Sequence, residues 1–153
     1  VTAYRSWLNA KAFFEAADLV RTNAAEGTVV SQRPLALVRL HLLGNAVEMA
    51  LQASLLGNGA ADASRPRGRS AGSLLERLER ARRLGLDERL RRPASALTEV
   101  VAYLDRPHRD GSLDFPHTKN TPAEAEILAA VRDLLDAAAP LRQAQAEEFG
   151  DTT

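Results

Sequence analysis

Four polar residues interrupt the apolar stretch HLLGNAVEMALQASLL, residues 41–56: His41, Asn45, Glu48 and Gln52. Their spacing of four, three and four places them on one narrow stripe of a helix. Leu43, Val47, Leu51 and Leu55 lie beside that stripe, so a helix packed on two sides carries it toward the interior. Polar side chains removed from water need partners. Glu48 is the sharpest case, because only Asn45 and Gln52 are near it within the helix. A buried, ionised Glu48 therefore asks for a base from another helix. Arg39 cannot serve, since two residues before His41 a helix has turned by about 200°. The stripe reads either as a structural polar network or as the wall of a ligand site, with burial deciding between them.

Two other groups carry chemistry. In RPRGRS, residues 65–70, Arg65, Arg67 and Arg69 form a phosphate contact candidate, because guanidinium binds phosphate through paired N–H groups. No aromatic platform accompanies them, which weakens RNA recognition by stacking. Arg109 and His117, with His108, form an alternative catalytic set: an arginine to stabilise phosphate charge and a histidine to move a proton. Metal binding is not expected. The three histidines, at 41, 108 and 117, form no HxxxH or HExxH pair, and cysteine is absent. Gly57, Gly59, Gly68 and Gly72 lack both the lysine and the preceding strand of a phosphate-cradling loop. No cofactor is expected either.

The chain that must position these residues has 153 of them, enough for a single domain with its own core. Formal charge is balanced overall but unevenly spread: +1 over residues 1–61, +5 over 62–93 and −6 over the remainder. That pattern allows a local basic patch and does not indicate a strongly basic polyanion binder. The simplest use of it is internal, with an arginine-rich helix complementing an acidic terminal one. No leader-like or membrane-spanning apolar run is present, so cytoplasmic placement with no membrane contact is the expectation.

Helical periodicity runs through the sequence. Tyr4, Trp7, Leu8, Phe13, Phe14 and Val20 mark a first helix to about Ala25. Ser31 and Pro34 suit the start of a second, which reaches Leu56 and stops at Gly57-Asn58-Gly59. Residues 57–72 read as a flexible loop. Ser73 or Ser70 opens a third helix through Leu74, Leu78 and Ala81, with Glu76–Arg80 and Glu79–Arg83 as surface pairs. A short helix near Asp87–Arg91 precedes Pro93, and Leu97, Val100, Val101 and Leu104 mark a fourth. Residues 105–121 read as loop on account of Pro107, Gly111 and Pro116. Thr121-Pro122-x-Glu124 opens a last helix that Pro140 kinks or ends. The result is an all-α antiparallel bundle of about five helices over residues 1–153. Helices one, two and five are expected to supply its core.

The order of a long aromatic-bearing helix, RPLALVRLHLLGNAVEMALQASLLGNG, SAGSLLERLERARRLGL, a tyrosine and a proline-containing loop resembles the HEPN-like helical family. The name stands for higher eukaryote and prokaryote nucleotide-binding domains. The likeness covers about residues 5–135. It aligns Asn45, Glu48 and Gln52 with the family's polar positions on the second helix. Gly72-Ser73 falls on a glycine–histidine element, Tyr103 on a late tyrosine, and Asp114-Phe115-Pro116 on an arginine–tyrosine–proline element. The resemblance implies a helical bundle that binds nucleotides or RNA. Nuclease members carry an arginine followed, after about four to six residues, by a histidine near a closing helix. Here seven residues separate Arg33 from His41 and Arg109 from His117, and one separates Arg106 from His108. The expectation is therefore a noncatalytic binding protein using the Glu48 stripe or the arginine loop. An RNA-cleaving enzyme with a displaced site and a nucleotide-binding module are the alternatives. More apolar surface than one bundle hides, counting Trp7, Phe13, Phe14, Val38 and Leu42, points to a homodimer.

Overall fold

The computed structural model describes residues 2–25, 29–60, 72–110 and 121–140. Within these described residues five α-helices run in the order α1 Ala3–Ala25, α2 Val29–Gly57, α3 Leu74–Arg83, α4 Ala94–Asp110 and α5 Glu124–Ala138, with a 3-10 turn at Leu86–Arg89 between α3 and α4. Among the described residues there is no strand, and no helix is long and apolar enough to cross a membrane. The all-α bundle expected from periodicity is the fold observed.

α2 is the central post, packing against every other α-helix. Small residues let α1 approach it closely: Ala10 and Ala17 are fully buried beside Phe14. The two run antiparallel, with Ala3 at the start of α1 beside Gly57 at the end of α2. The core draws on all five helices rather than on three. Leu74 and Leu78 of α3 and Leu97, Val101 and Leu104 of α4 are as buried as Leu43, Val47 and Leu51 of α2 or Val131 and Leu134 of α5. Summed apolar length was therefore a poor guide to core membership, because short helices with a narrow apolar stripe bury it completely. The expected apolar surplus is also smaller. Phe14 is buried and Trp7, Phe13 and Leu42 are partly covered, leaving Val38 alone of those five exposed.

Helix ends follow local chemistry, with several departures from the spacing argument. α2 begins at Val29, so Ser31 lies inside it and Pro34 falls in its second turn, where one backbone bond is lost. At the other end Gly59 takes a positive φ of 80°. The Gly59 N–H then reaches Leu56 O and the Ala60 N–H reaches Leu55 O, the paired bonds of a Schellman stop. Residues 57–60 thus close the helix instead of belonging to a loose loop; 61–71 lie outside the described residues. Ser73 caps α3 in a full capping box with Glu76, so Glu76 serves the cap and Glu79 pairs with Arg82. α5 starts after Ala123, with no side-chain cap from Thr121, and ends before Pro140.

The largest correction concerns α4. It continues to Asp110 with Pro107 inside it, where the sequence placed the start of a loop. Proline removes a single intrahelical bond, from its own position to Tyr103 O. The turn that follows is held from outside: Pro107 is buried and His108 bonds to α2. Tertiary contact outweighs the local break.

Candidate functional site

α2, α3 and the last turn of α4 enclose a cavity of about 460 Å³. From α2 it is lined by His41, Asn45 and Glu48, so three of the four stripe residues share it. Gln52, the fourth, is buried at 7% exposure and does not line it; one further turn of α2 carries it past the cavity. Gly72, Ser73, Glu76 and Arg77 close the second side, and Asp105, His108 and Arg109 the third. Two members of the alternative catalytic set, His108 and Arg109, therefore stand in the same cavity as the stripe. Arg65, Arg67, Arg69 and His117 lie outside the described residues.

Glu48 finds the base from another helix that its burial requires, and finds two. His108 Nε2 is 3.0 Å from Glu48 Oε2, and Arg77 Nη1 is 3.5 Å from Oε1. All three side chains are nearly enclosed, at 12% exposure for Glu48, 13% for His108 and 14% for Arg77. Asn45 turns its amide to His41 O one turn back, so it braces the helix rather than the carboxylate. The His41 and His108 rings sit 6.2 Å apart, tilted by 41°.

The protonation pattern follows from where each histidine nitrogen points. His108 Nδ1 is buried with no hydrogen-bond partner. An N–H there would be stranded, so the ring proton belongs on Nε2, donated to Glu48. His108 consequently has one nitrogen occupied and the other sealed from the cavity. Such a ring cannot pass a proton to a bound molecule unless it turns.

The start of α3 is equally committed. The Leu74 N–H donates to Asp105 Oδ1 at 2.8 Å, the Glu76 N–H to Ser73 Oγ, and the Ser73 N–H to Glu76 Oε2. A helix N-terminus ordinarily attracts an anion. Here the protein's own Asp105 and Glu76 fill that role, so a ligand phosphate meets carboxylates at this end; the guanidinium groups lining the cavity are those of Arg77, next to Glu76, and Arg109 of α4.

Sequence reasoning missed Arg77 and Asp105. Arg77 looked like one of many surface arginines, and Asp105 fell in the segment read as loop. The signal for Asp105 was its place four residues after Val101, on the apolar face that includes Leu97, Val101 and Leu104. Tyr103, singled out by the resemblance, is partly buried and does not line the cavity. Burial raises its phenol above the usual tyrosine range. Among the described residues no group of three potential metal ligands converges. Compared with protein families, curated proteins and solved structures, the chain matches none.

Proposed function

We propose that the chain is a noncatalytic, HEPN-like binding protein whose ligand site is the cavity between α2, α3 and α4. The observation carrying this reading is the closed state of His108. Its Nε2 is held by Glu48 and its Nδ1 faces no solvent, which suits a wall and not an acid–base catalyst. The cavity falls within the size range of small-molecule sites and offers several polar groups around one space. Three carboxylates, Glu48, Glu76 and Asp105, and two guanidinium groups, Arg77 and Arg109, line the one space and favour an uncharged polar ligand, or one bearing both signs, over a bare polyanion. A nucleoside or mononucleotide is the class that this charge layout shares with the family resemblance.

Calorimetric titration with nucleosides, mononucleotides and short RNA tests the proposal. One of the small ligands binds saturably, RNA remains uncut, and Glu48→Gln weakens binding about tenfold, the loss of one charge-assisted hydrogen bond. Cleavage of the RNA by the wild-type chain would replace this reading with the enzymatic one built on Arg109 and His117. Self-association belongs to the same proposal. Leu8 and Leu19 of α1 are 42% and 65% exposed, and a second copy laid against that helix would cover them. Sedimentation at micromolar concentration yielding only a 16.6 kDa species would reject the dimer.

A further inference from the structure

Gly44 is a buried glycine in the interior of α2, among good helix formers. Glycine there weakens a helix relative to alanine, so its presence calls for a packing reason. One is visible. A Cβ built on Gly44 would lie 3.0 Å from His108 Nδ1 and 3.3 Å from both Cβ and Cγ of the same residue. The close atoms include the root of the side chain as well as the ring, so a small rotation of the imidazole does not relieve the contact. The last turn of α4 itself rests on α2 at this point.

The neighbours of Gly44 complete the arrangement. His41 is three residues before it and Glu48 four residues after, so the three share a face of α2. His108 is a knob set into a notch whose floor is Gly44 and whose walls are His41 and Glu48. Pro107 has removed one backbone bond from the turn that carries this knob, so the seat on α2, more than the helix ladder, fixes its position.

We infer that Gly44 is the positioning residue of the cavity: its missing side chain sets how deeply His108 enters. It thereby holds the ring in the Nε2–H form that clasps Glu48. Any larger residue lifts His108 toward the cavity and frees one Glu48 oxygen, which reshapes the site that a ligand meets. The inference rests on the binding-site reading for its consequence. Its test is made on the unliganded protein, so failure to find a ligand leaves it standing and its own failure leaves the site in place.

The test compares Gly44→Ala in two backgrounds, the natural chain and His108→Ala. In the natural chain the substitution lowers Tm by a few degrees, roughly 2–4 °C for each kcal/mol lost in a chain this size. In the His108→Ala background the same change is neutral or raises Tm, because only the better helix propensity of alanine remains. Long-range 1H–15N spectra of the histidine rings supply the second readout, in which Gly44→Ala alters the His108 tautomer pattern seen in the natural chain. If Gly44→Ala does not fold, recovery of folding in the double variant supports the inference, and failure to recover overturns it. Equal Tm losses in both backgrounds, or His108 resonances unmoved by Gly44→Ala, also overturn it.

Discussion

The cavity between α2, α3 and α4 and the groove between α1 and α5 use similar side chains to opposite ends. The groove is the larger, about 620 Å³, and its floor is Trp7, Phe14 and Leu135. Its cations rest on ring faces: Lys11 Nζ is 5.0 Å from the centre of Trp7, and the Arg132 guanidinium 5.5 Å from that of Phe14. Its Asp18 pairs with Arg21 at 2.8 Å, but both side chains are about half exposed. In the cavity the charged side chains face one another at only 12–14% exposure. Charges that water can reach contribute little when paired and lose little when parted, while enclosed charges depend on each other. The smaller space is therefore the more committed one, and volume alone does not mark it.

The difference can be broken from its strongest point. Glu48→Ala removes the enclosed carboxylate that Arg77 and His108 share and should cost about 3–5 kcal/mol. Urea unfolding with an unchanged slope measures it, and a loss under 1 kcal/mol would make the cavity no different from the groove. Asp133→Ala asks whether enclosure matters elsewhere. Its buried carboxylate accepts the Arg91 and Arg92 N–H groups at 3.0 and 3.2 Å. About 2 kcal/mol should be lost, since these bonds are charge-assisted and the amides lie in a bend outside any helix. Trp7→Phe probes the groove by deleting the indole N–H that reaches Leu135 O at 3.0 Å, with an expected cost of about 1 kcal/mol in thermal unfolding. Asp18→Asn removes the exposed pair and should change stability by less than about 0.5 kcal/mol. A loss beyond 1 kcal/mol would show that the groove is enclosed in solution, by a second copy or otherwise.

The sequence was most informative where side-chain type and helical spacing agreed. The stripe on α2 was legible because Glu48 among leucines has few physical outcomes, and one of them, a base from another helix, is what the fold provides. Periodicity also gave the helix order. The partners of Glu48 were harder to see. His108 was hidden by Pro107, whose local preference ends a helix unless packing overrides it, and packing cannot be read from one strand of sequence. Arg77 was hidden by abundance, being one of ten arginines between residues 62 and 93. Asn45 was expected to extend the Glu48 network, but its amide is satisfied by the carbonyl one turn back, a local bond that always competes with a distant one. Nothing in the residue spacing marked the notch at Gly44, because its reason lies in a side chain 64 positions further along the chain.

The central position of α2 also bears on how such a chain can change over generations. Along this one helix Arg39 is joined to Glu124 of α5, Gly44 is fitted to His108 of α4, and Glu48 is tied to Arg77 of α3. Gain or loss of a single residue between Arg39 and Gln52 would rotate everything beyond it by about 100° and shift it by about 1.5 Å. All of the partners beyond that point would lose register at once. A point substitution there disturbs one partnership, whereas a change of length disturbs every partnership beyond it. Related chains should therefore keep this interval constant, and differences in length should accumulate between helices.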